Sequence, residues 1–209
     1  MRVLIADDHA VVREGLKRVL SGLPEGVEVG EAGNAQDALA LARRNQWDVA
    51  LLDIAMPGGN GLDLLKQLKR EQPALPVLIL SMYPEEQYAL RVLKAGAFGY
   101  LTKESATDQL LTAIQAVRRG QRYASPEMVG RLVAALDVEK DDSPQKNLSD
   151  REFEILRLIA RGDGVSGIAE KLSLSVSTVG TYRARLLRKL GLRQTAELVA
   201  YAVRYGLAE

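Results

Sequence analysis

The sequence contains no cysteine and only one histidine, His9, among its 209 residues. A chain without cysteine can form neither a disulfide framework nor a thiolate metal site. A single histidine likewise cannot supply the group of imidazoles that many transition-metal sites use. These absences leave carboxylates and other oxygen ligands as the source of any metal site in this protein.

Long hydrophobic runs are also missing, and no stretch approaches the length of a membrane span. Residues 1–5 enter a strand-like run that is followed by an acidic pair, a pattern unlike a signal peptide. We therefore expect a cytoplasmic protein with no membrane partner. The length suits two domains, and an apolar fraction of 47% is sufficient to build their cores.

The net charge is only +1, but it is unevenly distributed along the chain. The first 120 residues are nearly balanced, whereas residues 173–205 contain six basic side chains and a single acid, Glu197. A locally basic region after a neutral one suggests a polyanionic partner for the C-terminal part. Many solvated helices carry a similar excess, so this pattern alone is a weak indication.

Strand-like and helix-period segments alternate five times along the first 120 residues. Apolar runs occupy residues 3–6, 27–30, 47–53, 76–81 and 98–102, and each precedes a segment with apolar residues at helical spacing. This strict alternation predicts an α/β fold with one parallel sheet that is covered by helices on both faces. Because crossovers between parallel strands are right-handed, the expected topology is the flavodoxin-like strand order 2-1-3-4-5.

Three carboxylates are expected to meet at one edge of this sheet. Asp7 and Asp8 follow the first strand and Asp53 ends the third, next to the point where the strand order reverses. Three carboxylates at neighbouring strand ends repel one another, so a positive group must lie among them. Oxygen ligands without a cysteine or histidine cluster are best suited to Mg²⁺.

The ends of the fourth and fifth strands add a hydroxyl group, Ser81, and an ammonium group, Lys103. A carboxylate nucleophile, a divalent cation and donors for phosphoryl oxygens are what phosphoryl transfer requires. Each residue also has a simpler interpretation, in which Asp7 caps a helix, Ser81 ends a strand and Tyr100 fills the core. Their joint occurrence at the right strand ends favours the functional interpretation.

The residues at these strand ends form one ordered set, Asp7-Asp8, Asp53-x-x-Met56-Pro57, Ser81, Tyr100 and Lys103. In this respect residues 1–120 resemble the receiver domain of two-component response regulators. The resemblance implies that Asp53 accepts a phosphoryl group from a sensor histidine kinase or a phosphotransfer protein. It also implies that Asp8 and Asp53 hold Mg²⁺ together with the Ala55 carbonyl, while Asp7 acts mainly through water.

Three further residues receive roles from the same resemblance. Ser81 and Lys103 would contact the phosphoryl oxygens, and Tyr100 would turn inward when Ser81 moves toward the phosphate. Lys103 is followed by Glu104, where many receivers have a proline that is joined by a cis bond. A cis bond without proline costs about 3 kcal/mol, so we expect a trans bond here. His9 is assigned no phosphate-accepting role.

Residues 121–147 are predicted to connect two domains. Ser125-Pro126-Glu127 is a typical helix start, with Ser125 as N-cap and proline at the first position. The short amphipathic helix that follows gives way at residues 138–147 to a polar and charged stretch, which we interpret as an exposed linker.

Residues 148–209 predict an all-α domain of four helices. Ser149 and Glu152 form a capping box at the start of the first helix. The third helix has an apolar face that includes Val179, and the opposite face carries Ser177, Thr181, Ala184, Arg185 and Arg188. Small and hydroxyl residues interspersed with arginine suit insertion into the major groove of DNA. The alternative is an ordinary solvated helix face.

Four short motifs carry a second resemblance: Leu148-Ser-x-Arg-Glu152, Ile168-Ala169-x-x-Leu172, Ser175-x-x-Thr178-Val179 and Lys189-Leu190-Gly191. They resemble the LuxR-type helix-turn-helix. The combination of this motif with a receiver domain makes the whole chain similar to the NarL/FixJ family. The resemblance implies that Val176–Leu190 is a recognition helix that crosses the major groove. The residues expected to contact double-stranded DNA are then Ser177, Thr178, Thr181, Tyr182, Arg183, Arg185, Arg188 and Lys189.

Two departures from the LuxR-type pattern stand out. Gly164-Val165-Ser166-Gly167 occupies the place of Ser/Thr-Asn-Lys-Glu, and Gly180 and Tyr182 replace a lysine and a histidine. The loss of both lysines predicts weaker DNA binding with a flatter salt dependence, unless the arginines of the third helix compensate. A degenerate output domain that binds protein rather than DNA is the alternative.

We therefore predict a DNA-binding response regulator with a receiver at 1–120, a linker with a short helix at 121–147 and a LuxR-type domain at 148–209. Phosphorylation of Asp53 is expected to control homodimerisation and transcription, through either the first and last receiver helices or the side from the fourth strand to the fifth helix. We expect no enzyme beyond self-catalysed phosphorylation and dephosphorylation. An aspartate-nucleophile phosphatase would need an acid–base aspartate at the position of Ala55.

Overall fold

The computed structural model describes residues 1–56, 61–125, 128–130 and 148–207, except for the side chains of Glu86 and Gln87. The chain divides into two compact units, Met1–Val138 and Glu139–Glu209. Most of the predicted linker, with its short helix, lies outside the described residues. Among the described residues, no helix is both long and apolar enough to cross a membrane.

The first unit alternates strands and helices as predicted. Its strands are β1 (Arg2–Ala6), β2 (Glu28–Ala32), β3 (Val49–Asp53), β4 (Val77–Ser81) and β5 (Gly99–Thr102). Its helices are α1 (Ala10–Leu20), α2 (Ala35–Arg44), α3 (Gly61–Glu71), α4 (Glu85–Lys94) and α5 (Ala106–Arg118). All strand pairs are parallel, and the order β2-β1-β3-β4-β5 confirms the predicted topology.

The central strands owe their position to their composition. Every residue of β3 and β4 is buried, which is the pattern of strands that helices cover on both faces. The core on one face joins side chains from β1, β3, β4 and β5 with α1 and α5. A rigid, fully buried strand therefore places Asp53, its last residue, at the carboxyl edge of the sheet.

The edge strand β2 differs from its predicted bounds of residues 27–30. It begins at Glu28 and continues to Ala32, because its register is set by backbone pairing with β1, including Asp7 N–H to Ala32 O at 3.1 Å. The strand is only partly buried, so its hydrophobic pattern defines its ends poorly. Asn34 caps the next helix, since its side chain accepts a hydrogen bond from Asp37 N–H.

The second unit consists of four described helices: α6 (Asp150–Ala160), α7 (Val165–Lys171), α8 (Val176–Leu190) and α9 (Thr195–Arg204). Ser149 and Glu152 form the predicted capping box at the start of α6. The helix α8 has the predicted recognition-helix bounds and ends at Gly191, whose φ of 68° is the left-handed conformation that glycine adopts readily. The helix α7 begins after Gly164 without a side-chain cap.

Candidate functional site

The acidic cluster forms because two neighbouring strands end in register. Ala6 of β1 pairs with Leu52 of β3, so the residues that follow them, Asp7 and Asp53, lie side by side. Both are almost fully buried, with 1% and 2% of their surface exposed. Carboxylate oxygens of Asp7, Asp8 and Asp53 lie within 4.8 Å of one another, together with a ring nitrogen of His9. The three predicted acids therefore do converge.

Lys103 supplies the positive charge among these acids. Its Nζ atom lies 2.6 Å from Asp7 Oδ2 and 2.7 Å from Asp53 Oδ2. Its backbone N–H donates to the Ser81 carbonyl at 2.8 Å, which fixes the residue just past the end of β5. No cis peptide bond occurs among the described residues, as expected for a lysine that is followed by Glu104. The two carboxylates orient the lysine side chain.

Burial and charge act in opposite directions on these groups. Burial raises the pKa of the Asp53 carboxyl, and the Lys103 ammonium and the Ala55 N–H offset only part of this effect. Burial alone would lower the pKa of Lys103, but Asp53 and Asp7 outweigh it and raise that pKa above its ordinary value. Lys103 is therefore protonated at neutral pH, and Asp53 is a poorly solvated carboxylate beside a fixed ammonium group.

Ser81 ends β4 as predicted, whereas Tyr100 lies within β5, paired with Ile79, and neither residue is exposed. Ser81 Oγ accepts a hydrogen bond from Tyr83 N–H at 3.1 Å, and the Tyr100 hydroxyl donates to the Tyr83 carbonyl at 2.7 Å. The ring of Tyr83 stacks on the buried ring of Tyr88, with centroids 5.0 Å apart. Tyr100 thus occupies the inward position and is tied to the loop between β4 and α4.

Ala55 and His9 complete the surroundings of the cluster. The Ala55 N–H donates to Asp53 Oδ1 at 3.0 Å, whereas the role predicted for its carbonyl stays a prediction. His9 is largely exposed, and its Nδ1 atom lies 2.8 Å from Asp8 Oδ1. Arg13 donates to the Asp7 carbonyl at 2.8 Å and so holds the turn after β1 in place.

Residues 121–125, here named the exit segment, follow α5 and are bonded to α4 and β5. Tyr123 N–H donates to the Phe98 carbonyl at 2.8 Å, and Tyr123 forms a parallel bridge with Gly99. Ser125 Oγ donates to Glu85 Oε2 at 2.5 Å. The exit segment is therefore bonded to the first residue of α4, close to the loop that holds Tyr100.

Most of the predicted DNA-facing residues lie on one side of α8, whereas Arg183 lies next to Val179 around the helix. Val179 and Leu186 are buried and anchor the helix on the opposite side. Thr178 and Tyr182 are partly buried, and the guanidinium of Arg185 lies 5.7 Å from the centre of the Tyr182 ring. The exposed members are Ser177, Thr181, Arg183, Arg185, Arg188 and Lys189.

Lys189 differs from the other members because it has a partner inside its own unit. Its Nζ atom lies 2.6 Å from Glu152 Oε2, in the capping box of α6. Glu152 is 3% exposed. Burial alone would raise the pKa of Glu152, but hydrogen bonds from Lys189 and Ser149 outweigh it and lower that pKa. The predicted DNA contact of Lys189 would compete with this ion pair.

We expect Lys189→Met to lower the free energy of unfolding of the helical unit by about 1–2 kcal/mol, since it leaves a buried carboxylate without its cation. The lowered pKa means that this stabilisation is present above the ordinary value of 4.5 and is lost as the pH falls below it. Urea unfolding at pH 7 and pH 3.5 measures both effects. Arg188→Met is the matched control, because this neighbouring side chain is exposed. Equal stability of the two variants would contradict the assignment.

Comparison with known proteins agrees with both units. A family model described as the response regulator receiver domain matches residues 3–115, and one described as bacterial regulatory proteins of the luxR family matches residues 146–202. The response regulator GacA of Pseudomonas aeruginosa is 39% identical, over 100% of this chain and 98% of that protein. UvrY of Escherichia coli is 36% identical, over 99% and 95%. The chain belongs to the NarL/FixJ family of response regulators.

Solved structures also resemble this response regulator over nearly its whole length. RcsB of Salmonella enterica serovar Typhimurium, bound to promoter P1flhDC in the presence of phosphomimetic BeF3⁻, is 32% identical with a TM-score of 0.60. That alignment covers 96% of this chain and 97% of RcsB. The same protein bound to promoter rprA is 30% identical with a TM-score of 0.65, over 96% and 98%.

Some contacts of this response regulator have no signal in the sequence. The sequence around Tyr83 is typical of a loop, yet Tyr83 accepts a hydrogen bond from Tyr100 and stacks on Tyr88. The bond between Ser125 and Glu85 joins residues that are 40 positions apart. Only the topology brings these groups together, so the residue pattern could not predict them.

Proposed function

We propose that this response regulator takes a phosphoryl group onto Asp53 from a sensor histidine kinase or a phosphotransfer protein, and that this controls homodimerisation and DNA binding. The observation that carries the proposal is the buried Asp53 carboxylate, held 2.7 Å from Lys103 at the carboxyl edge of the sheet. A buried nucleophile beside a fixed cation suits charge that develops on phosphoryl oxygens.

In the proposed transfer, an Asp53 oxygen attacks phosphorus, a phosphorus–oxygen bond forms and the phosphorus–nitrogen bond to the donor histidine breaks. The bond electrons leave with the imidazole, which takes up a proton from solvent. Lys103 holds a phosphoryl oxygen by charge, and Ser81 donates its hydroxyl to another. Ala55 supplies no acid–base group two residues beyond Asp53, so we propose no turnover of phosphate esters, only hydrolysis of the regulator's own acyl phosphate.

The donor set fits Mg²⁺. Asp7, Asp8 and Asp53 offer clustered carboxylate oxygens, and Lys103 forms ion pairs with two of these three acids. A bound Mg²⁺ would neutralise the remaining negative charge and that of the incoming phosphoryl group. Asp8, Asp53 and the Ala55 carbonyl would hold it directly, with Asp7 acting through water.

We expect Mg²⁺ at ten times its dissociation constant to stabilise the receiver by about 1.4 kcal/mol, because it binds the folded state alone. Asp8→Asn should remove most of this gain. Asp63→Asn, which changes an exposed acid in the first turn of α3, should leave it intact. Thermal unfolding with and without Mg²⁺ measures the difference. An unchanged Mg²⁺ response in Asp8→Asn would exclude this ligand set.

The exit segment connects a structural change at the phosphorylation site to the chain that leads to the output domain. Movement of the loop that holds Tyr100 would shift α4, whose first residue, Glu85, is bonded to Ser125. Because the bond is short and partly buried, the position of the exit segment depends on that of α4. Phosphorylation would thus bias two arrangements of the segment that leads to the LuxR-type domain.

We expect Ser125→Ala to weaken the coupling between phosphorylation and DNA binding by about fivefold, because the hydrogen bond to Glu85, worth about 1 kcal/mol, is lost. The substitution also removes the bond that Ser125 Oγ accepts from Met128 N–H. The quantity to measure is the ratio of DNA affinities with and without beryllofluoride. Ser21→Ala is the control, since Ser21 Oγ donates to the Arg18 carbonyl at the exposed end of α1. A ratio equal to that of the wild type would show that Ser125 takes no part in the coupling.

Binding-site selection on genomic DNA, with and without beryllofluoride, tests the proposal as a whole. RcsB, which shares about a third of its sequence with this chain, binds promoter DNA in the presence of BeF3⁻. We expect selection of a common sequence that beryllofluoride strengthens. The exposed arginines of α8 supply the positive charge for phosphate contacts, although Gly180 provides none. A chain that binds no DNA at low salt would point instead to a protein-binding output domain.

A further inference from the structure

The hydroxyl groups in the first half of α8 are engaged within the helix. Ser175 Oγ accepts from Thr178 N–H at 3.0 Å and lies 2.8 Å from Ser177 Oγ and 2.7 Å from Thr178 Oγ1. Thr181 Oγ1 donates to the Ser177 carbonyl at 3.0 Å. The donor capacity of these residues is therefore largely used for capping and for the helix backbone, rather than for an outside ligand.

The exposed face of the helix also carries methyl groups. Thr181 and Ala184 are exposed one turn apart, and the Thr181 hydroxyl is turned to its own helix, which leaves its methyl group for an outside contact. Val176, at the start of the helix, is 54% exposed. Gly180 has no side chain, and an added Cβ there would meet nothing within 4 Å.

The charged side chains lie further along the helix. Arg183, Arg185 and Arg188 occupy its second half, and Arg185 is placed against the Tyr182 ring. In helix-turn-helix proteins the first turns of the recognition helix meet the base edges. Arg188 lies one turn beyond Ala184 and suits contacts to the phosphates, while Thr181 and Ala184 carry methyl groups on the exposed face before it.

We infer that this response regulator reads its DNA site mainly through the C5-methyl groups of thymines, which Thr181 and Ala184 contact. The inference rests on the proposed DNA-binding function. In the major groove a thymine is marked by an acceptor and a methyl group, and threonine methyl and alanine side chains are suited to contact that methyl. Burying one methyl group is worth about a fourfold change in affinity.

The test compares thymine with deoxyuridine, which differs from it only by the missing methyl group. Duplexes recovered by binding-site selection are synthesised with uracil at one position of each half-site at a time, and bound by the full-length chain with beryllofluoride. We expect a loss of about three- to fivefold per half-site at the thymines under α8, and unchanged affinity at other thymines. Unchanged affinity at every substituted position would overturn the inference while leaving DNA binding established.

Two variants of Thr181 separate a contact by its methyl group from one by its hydroxyl. Thr181→Ser keeps the hydroxyl and should bind thymine and uracil equally at one position. Thr181→Val keeps a methyl group and should retain the preference for thymine. Circular dichroism and thermal unfolding verify that both variants are folded. A preference retained in Thr181→Ser and lost in Thr181→Val would overturn the assignment, and the absence of binding to any duplex at low salt would overturn the proposed function as well.

Discussion

Asp53→Asn is expected to abolish phosphorylation of this response regulator by acetyl phosphate and by a donor kinase. The amide oxygen that replaces the carboxylate is a poor nucleophile. Asp7, the other carboxylate beside Lys103, is proposed to act on Mg²⁺ through water and not as a nucleophile. Incorporation of labelled phosphate should fall to background. Asp63→Asn, at an exposed acid of α3, should be phosphorylated like the wild type.

The same substitution should not destabilise the fold. Burial raises the pKa of Asp53 above its ordinary value of 3.8. The protonated carboxyl therefore stabilises the fold at pH values below 3.8, and this stabilisation is lost as the pH rises through the pKa of the folded state. At pH 7 the ionised carboxylate opposes folding, and the neutral amide relieves this cost while Lys103 keeps Asp7 as a partner. Without Mg²⁺, the melting temperature of Asp53→Asn should equal or exceed that of the wild type. A clear fall would contradict this account of the site.

Gly61→Ala is expected to have the second large effect, because it forces the backbone behind the phosphoacceptor to move. A Cβ at Gly61 would lie 2.5 Å from the Asp53 carbonyl oxygen and 2.6 Å from Ile54 Cα. Neither backbone atom can yield without shifting the end of β3. We expect a loss of about 2–3 kcal/mol in the free energy of unfolding, together with slower phosphorylation.

Gly15→Ala provides the matched control within the same unit. Gly15 lies in α1, and an added Cβ there meets nothing within 4 Å. Alanine should stabilise this helix by about 0.5–1 kcal/mol, because glycine loses more conformational freedom on folding. Urea unfolding and the phosphorylation rate of both variants measure the contrast. Wild-type stability and rate in Gly61→Ala would show that the end of β3 is less constrained than its contacts indicate.

The central part of the fold could be predicted because buried strands and amphipathic helices leave strong patterns. The wholly apolar residues before Asp53 can occupy only the middle of a covered sheet, and that position fixes the neighbours of the strand end. The bounds of β2 could not be predicted well, since this partly exposed edge strand is positioned by pairing with β1. The pattern of apolar residues indicates which residues are buried, whereas the ends of β2 depend on its backbone pairing with β1.

The candidate functional residues also include some that the sequence predicts and some contacts that it does not. Asp7, Asp53 and Lys103 follow from strand topology, because parallel strands bring their carboxyl ends to one edge. The ion pair between Lys189 and Glu152 links residues 37 positions apart, and neither its existence nor its competition with DNA is visible in the sequence. Such contacts depend on how helices pack rather than on any local motif.

The most direct test of the central claim is the DNA affinity of the wild type and of Asp53→Asn, each with and without beryllofluoride, on one selected duplex. We predict that beryllofluoride strengthens binding by the wild type about tenfold, a typical magnitude of coupling between two sites. Asp53→Asn should bind with the same affinity in both conditions. An equal gain in both proteins, or no gain in the wild type, would contradict control of DNA binding by Asp53.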